Sequence, residues 1–167
     1  AVSLPKNASV IDVGTGAGFP GIPLKVVCPC LHMTLLDSLQ KRIVFLEEVI
    51  KKLSLEHISC VHARAEDGGK NEYYREQFDY CVSRAVANLT VLSEYCLPFV
   101  KLGGLLIALK GPEAEQEVNQ AKRAIQVLGG EVIEIKQIII PDTELRHTLV
   151  LIKKVIQTPS QYPRKAG

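Results

Sequence analysis

One glycine-rich turn, set between a β-branched run and an apolar stretch, constrains this chain more than any other feature. Ser9-Val-Ile-Asp-Val13 runs into Gly14-Thr-Gly-Ala-Gly-Phe-Pro-Gly21, and Ile22 to Val27 follow with helical character. Strand, glycine turn and helix in that order open a nucleotide-binding α/β unit. Glycine lets the backbone turn sharply and lets a ligand approach its N–H groups without interference from Cβ. A turn that serves only helix-on-strand packing is the bland alternative.

The rest of the chain repeats the pattern. Met33 to Leu36 predicts a second strand closed by Asp37, with Ser38 as N-cap of a helix whose apolar residues are Ile43, Leu46, Val49, Ile50 and Leu53. Ile58 to Val61 predicts a third strand running into Ala65-Glu66-Asp67. Phe78 to Val82 predicts a fourth, ending in Ser83-Arg84-Ala85, after a polar helix or loop over 68–77. A helix is expected over Leu89 to Val100, a tight turn at Leu102-Gly103-Gly104, and a fifth strand over Leu105 to Leu109. Val118, Ala121, Ala124, Ile125 and Leu128 share one face of a further helix that Gly129-Gly130 ends. Glu131 to Ile140 and Thr148 to Val155 are β-rich runs close enough to pair antiparallel. This predicts an α/β domain with a mostly parallel seven-stranded sheet, an antiparallel edge strand and helices on both faces.

The 167 residues suit one domain spanning 1–167, with no internal repeat or linker. No apolar stretch approaches the roughly 20 residues of a membrane span, and nothing at the N-terminus reads as a signal peptide, so no membrane partner and a cytoplasmic location are expected. The cysteines Cys28, Cys30, Cys60, Cys81 and Cys96 are odd in number and lie among apolar neighbours, which predicts small buried hydrophobes rather than disulfides. No metal site is expected. A net charge of +2 does not by itself announce a nucleic-acid binder.

Open parallel sheets bind ligands at the carboxyl ends of their strands, so the strand ends are the candidate site. Gly16-Ala-Gly18-Phe-Pro-Gly21 formally satisfies the dinucleotide pattern GxGxxG, and an NAD(P)-dependent oxidoreductase is one reading. Asp12 favours S-adenosylmethionine instead. A carboxylate two residues ahead of Gly14 suits a methionine ammonium and would repel a pyrophosphate. Asp37 is placed to accept both ribose hydroxyls, or else to favour a helix N-terminus by its charge. Ala65 and Glu66 would lie beside the adenine, with a solvated loop acid as the alternative. The glycine pair before the fifth strand is a further recurring cue for a methyltransferase sheet.

Taken together, Asp12-Val-Gly-Thr-Gly-Ala-Gly-Phe-Pro-Gly-Ile-Pro23, Leu36-Asp-Ser-Leu-Gln-Lys-Arg42, Ala63-Arg-Ala-Glu-Asp67, Ser83-Arg-Ala-Val-Ala87 and Tyr162-Pro-Arg-Lys-Ala-Gly167 resemble the RsmG, or GidB, family. These are the guanine-N7 methyltransferases of bacterial 16S ribosomal RNA. The resemblance covers almost the whole chain and implies a Rossmann-like class I methyltransferase fold. It implies cofactor contacts at Gly14, Phe19, Ala65, Glu66 and Arg84, to which the strand-end reading adds Asp12, Gly16, Gly18 and Asp37. Arg84, which without the family reads equally as a surface ion-pair residue, becomes a candidate for orienting cofactor or substrate. Guanine N7 carries a lone pair and no proton, so the absence of an obvious general base is expected. The chain also lacks, after its fourth strand, the Asn/Asp-Pro-Pro-aromatic motif of enzymes that methylate exocyclic amines.

The partner implied is 16S rRNA or the small ribosomal subunit, contacted as a monomer through Lys41, Arg42, Lys110, Arg146, Arg164 and Lys165, aided by Tyr162. Each of these cations could equally be an ordinary solvated charge. Relatives carry a helical segment ahead of the first strand and continue beyond Lys165-Ala-Gly167, so a truncated form is expected. A non-catalytic protein that binds adenosylmethionine and RNA is the remaining alternative.

Overall fold

The computed structural model describes residues 4–84, 86–139 and 146–165, without the side chain of Arg146. The elements alternate as expected: β1 (Ser9–Val13), α1 (Gly21–Val27), β2 (His32–Asp37), α2 (Gln40–Lys52), β3 (Ile58–His62), α3 (Ala65–Gly68), β4 (Phe78–Arg84) and α4 (Leu89–Cys96). A 3-10 turn (Leu97–Phe99) then leads to β5 (Val100–Lys110), α5 (Ala114–Val127), β6 (Gly130–Ile139) and β7 (Arg146–Lys154).

The strands form one seven-stranded sheet in the order β3-β2-β1-β4-β5-β7-β6. Strands β1 to β5 pair in parallel, and β7 runs antiparallel to both β5 and β6. The predicted strand pair forms, but the antiparallel member lies one position in from the edge, and β6 is outermost. The strand order reverses at β1, which opens a crevice at the carboxyl ends of β1, β2 and β4. There Val13 lies level with Leu36, and Asp37 with His62.

Side chains alternate across the sheet, so each strand feeds two cores. Val10, Leu35, Val82 and Ile107 join Ile22 of α1 and Leu46 of α2 in one core. Ile11, Leu36, Cys81 and Leu106 join Leu89 and Leu92 of α4 and Ala121 and Ile125 of α5 in the other. Helices therefore cover both faces.

Several local expectations change. The helix from Leu89 stops at Cys96 because Pro98 cannot donate a backbone hydrogen bond, and the chain passes through the 3-10 turn into β5. Leu102-Gly103-Gly104 is not a separate turn; it lies inside the long β5, where the pairing with β4 shifts register between Phe78 and Tyr80. Ser38 is not an N-cap. Leu39 occupies that position with no side-chain cap, and its N–H donates to Asp37 Oδ1 at 3.0 Å. Cys81 and Cys96 are buried as expected, Cys28 and Cys60 only partly, and Cys30 is exposed in the turn between α1 and β2.

Buried cations are the main surprise. Lys25 is buried and caps carbonyls of the α1–β2 turn, donating to Pro29 O at 2.6 Å and also to Leu31 O. Lys154 is fully buried between Glu76, Leu97 O and Thr158 Oγ1. Arg75 donates to the carbonyls of Gly69, Thr158 and Tyr162, and so ties the segment before β4 to the C-terminal tail.

Candidate functional site

A cleft of about 530 Å³ opens at the crevice. The loop after β1 supplies Gly14, Thr15, Gly16, Ala17 and Phe19, and the end of β2 supplies Leu36, Asp37 and Ser38. Ala63, Arg64, Ala65 and Glu66 come from the end of β3, and Arg84 and Val86 from the end of β4. Arg42 of α2 and Tyr95 of α4 complete the walls. The volume lies within the roughly 300–1,000 Å³ of small-molecule sites.

The glycines act in different ways. Gly14 has φ +70°, which strains any other residue, and a Cβ there would lie 2.6 Å from Val86 Cγ2 and have to displace it. Gly16 has φ +62° and open space where its Cβ would be, so it leaves room in the cleft. Gly18 does not line the cleft; it faces Ile22 and Leu46 and serves packing.

Asp12 also departs from expectation. It does not line the cleft, but lies buried behind the loop, where Oδ2 accepts from Thr15 Oγ1 at 2.7 Å and from Gly21 N–H at 2.8 Å. A hydroxyl and a helix-start amide engage Oδ2 and so hold the loop, while Oδ1 is buried with no hydrogen-bond partner. Burial pushes its carboxyl up to about 6, against the downward pull of those two hydrogen bonds and of the Arg84 charge.

Asp37 does line the cleft. Its Oδ2 accepts from Gly16 N–H at 2.9 Å, and the Arg42 guanidinium lies 3.2 Å away. Arg42 is half exposed, so it can yield this carboxylate to a ligand's hydroxyls at little cost. Arg84 stands at the cleft mouth with its guanidinium 5.6 Å from the centroid of the Phe19 ring, a cation–π geometry. Burial and the neighbouring carboxylates of Glu66 and Glu94 raise the Tyr95 hydroxyl above its usual range and keep it a donor. Arg64, Val86 and Tyr95 were not singled out from the sequence; Arg64 and Val86 lie within the quoted motifs at the ends of β3 and β4, whereas Tyr95, on α4, carried no signal.

The loop's own hydrogen bonds discriminate between cofactors. Gly14 and Thr15 N–H donate to Leu36 O, Gly16 to Asp37, Gly18 and Phe19 to Thr15 O, Gly21 to Asp12, and Ile22 to Gly18 O. A pyrophosphate needs such amides free at the helix N-terminus. Here they are engaged internally, with two carboxylates among the acceptors, and the cleft suits a ligand without phosphates.

The cations proposed for RNA separate into groups. Lys41 and Lys165 are exposed, and Arg42 is at the cleft. Lys110 is a correction: it is buried, donating to Ala87 O at 2.6 Å and pairing with Glu117 at 2.7 Å. Its position near the end of β5 points it into the α4–α5 layer rather than to solvent. Arg164 is exposed but forks onto Glu94 at 2.7 Å and 3.0 Å, so its charge is already matched. The side chain of Arg146 lies outside the described residues. Lys110→Ala should cost about 1–3 kcal/mol of stability in denaturant unfolding, because Ala87 O loses its donor and Glu117 keeps only the Leu89 N–H, and leave the salt dependence of RNA binding unchanged. A reduced salt slope in a stable variant would return Lys110 to the RNA surface.

No helix among the described residues is long and apolar enough to cross a membrane, and no cluster of potential metal ligands occurs among them. Among solved structures the fold resembles that of M. jannaschii TYW2 in complex with AdoMet, with TM-score 0.69 and 16% identity over 90% of this chain and 70% of that one. It also resembles an rRNA methylase from Streptococcus thermophilus, with TM-score 0.63 and 15% identity over 92% and 90% of the two chains. At such identities the likeness concerns the fold.

Sequence relatives are much nearer. The Ribosomal RNA small subunit methyltransferase G of Alkaliphilus metalliredigens is 56% identical over 164 residues, which is 98% of this chain and 69% of that protein. The protein of the same name from Clostridium novyi is 53% identical over 98% of this chain and 68% of its own length. The family model described as "GidB: rRNA small subunit methyltransferase G" matches residues 1–146. The chain therefore belongs to the GidB family of rRNA small subunit methyltransferases G.

Proposed function

We propose that the chain transfers a methyl group from S-adenosylmethionine to N7 of a guanine in 16S rRNA, as a monomeric cytoplasmic enzyme whose residues 1–167 form one catalytic domain. Family membership supports the reaction. The observation that carries the cofactor assignment is the cleft at the β1–β2–β4 strand ends, whose loop amides, Ala17 excepted, are engaged internally and form no cradle for a pyrophosphate. That argues against the oxidoreductase alternative.

When bound, S-adenosylmethionine supplies an electrophilic methyl on a sulfonium, which passes to the N7 lone pair while the carbon–sulfur electron pair stays on sulfur. Asp37 would hold the ribose hydroxyls in place of its contact with Arg42. Gly14 and Gly16 keep the floor of the cleft clear, and Ala65 and Glu66 border the adenine. Phe19 and Arg84 flank the mouth. No residue has to move a proton, because N7 carries none, so the protein's work is alignment and desolvation. Lys41, Arg64 and Lys165 are among the exposed cations available to RNA phosphates.

Calorimetric titration with S-adenosylhomocysteine tests this. One-to-one binding is expected, and Asp37→Ala should weaken it by roughly 1.5–3 kcal/mol, the value of hydrogen bonds to a charged acceptor. Unchanged affinity would remove Asp37 from the site. S-adenosylhomocysteine and not NADH should raise the melting temperature. Labelled methyl transfer to 16S rRNA separates an enzyme from a protein that only binds.

A further inference from the structure

A second groove, of about 350 Å³, adjoins the cleft and shares Phe19 and Arg84 with it. Its other walls are Pro20, Pro23, Leu24 and Val27 around α1, and Leu109 near the end of β5. Apart from Arg84 it is apolar, yet Phe19 is 48% and Val27 79% exposed. The grooves beside Asp79 and Lys101, beside Thr90 and Gln120, and beside Asn119 and Val132 have no lining residue in common with the cleft.

We infer that this groove is the docking site of the target guanine base, with Arg84 reading its O6 carbonyl at the shared mouth. The inference rests on the proposed methyl transfer. In-line attack requires the acceptor atom within about 3–3.5 Å of the methyl carbon, so the base must enter through an opening continuous with the cofactor cleft. A purine is flat and apolar on its faces, and proline rings with a half-exposed phenylalanine offer flat apolar walls for stacking. Its polar edge needs a partner at one end, which is where Arg84 stands.

The chemistry of Arg84 selects the base. A guanidinium only donates, and guanine presents an O6 acceptor where adenine presents an N6 amino donor. One N–H on O6 leaves the N7 lone pair free to face the cleft. Adenine in the same groove would set donor against donor.

The test is a titration of the S-adenosylhomocysteine-saturated protein with guanosine 5′-monophosphate, followed by the methyl NMR signals of Leu24, Val27 and Leu109. Saturable shifts at these methyls are expected in the millimolar range, with adenosine 5′-monophosphate at least fivefold weaker and inorganic phosphate without effect. Val27→Asp, at an exposed position that does not line the cleft, should weaken the guanine nucleotide at least fivefold and leave S-adenosylhomocysteine affinity unchanged. Guanosine monophosphate leaving these signals unmoved, or moving them no more than phosphate does, would overturn the docking site. Equal binding of adenosine monophosphate would overturn the O6 contact with Arg84. Shifts that follow protein concentration alone would assign the groove to a second copy of the chain and overturn the proposal. Failure of S-adenosylhomocysteine itself to bind is read separately, and would count against the functional reading beneath it.

Discussion

Lys154→Met should lower the free energy of unfolding by about 3 kcal/mol, the lower end of the range for breaking a buried ion pair. Lys154 is fully buried, and its Nζ lies 3.1 Å from Glu76, 2.7 Å from Leu97 O and 2.6 Å from Thr158 Oγ1. Methionine preserves most of the volume, so the loss reports the pair and not a cavity. Glu76 keeps the Thr158 N–H and a little solvent, which places the cost at the lower end. Removing the stranded charge as well, with Glu76→Gln, should restore about half of the loss. Denaturant unfolding of the single and double variants measures the coupling directly, and additive effects would show that the pair contributes nothing beyond its parts.

Stability should also fall by about 2.4 kcal/mol as pH rises from 4 to 7, and Asp12 is the cause. Burial pushes the Asp12 carboxyl up to about 6, well above the usual carboxylate range. The folded chain therefore holds this proton more tightly than the unfolded chain does. The stabilisation is fully present below the unfolded pKa and is lost as pH rises through the folded one. Asp79 and Glu94 behave in the opposite sense. Hydrogen bonds and ion pairs, from Ser9 and Lys101 in one case and Arg164 in the other, hold their carboxyls below the usual range, so their contribution disappears only below about pH 4. The two windows barely overlap, so these three carboxyls together favour the range between about pH 4 and 5. Asp12→Asn should flatten the alkaline side while sparing the acid side. A wild-type profile already flat between pH 5 and 7 would mean that the carboxylate is solvated or paired in solution.

The α/β alternation, the glycine loop and the strand-end positions of Asp37, Ala65, Glu66 and Arg84 were legible in the sequence because each depends on local signals. Periodicity of 2 or 3.6, a glycine run after a β-branched stretch and acids closing strands all act over a few residues. Phe19 and Gly14 followed from the same loop, and the family from the combination of motifs. The end of α4 was misplaced because a 3-10 turn lets Pro98 follow a helix without a visible break. Gly103-Gly104 reads as a turn in one dimension and is an irregularity inside a paired strand in three.

Residue type and neighbours alone determined which elements form, that they alternate, and where a ligand of the adenosyl class would sit. Tertiary structure alone decided which charges are available. Asp12 and Asp37 are both acids near the glycine loop, yet only Asp37 lines the cleft. The Asp12 side chain instead meets Thr15 and the start of α1. Lys110 and Lys41 are both lysines beside predicted strand or helix ends, yet one is buried against Glu117 and the other exposed. Strand order, and with it the place of β7 between β5 and β6, is likewise invisible along the chain. The physical reason is the same in each case. Secondary structure follows from contacts within a few residues, whereas burial and charge pairing depend on partners brought together from distant parts of the chain.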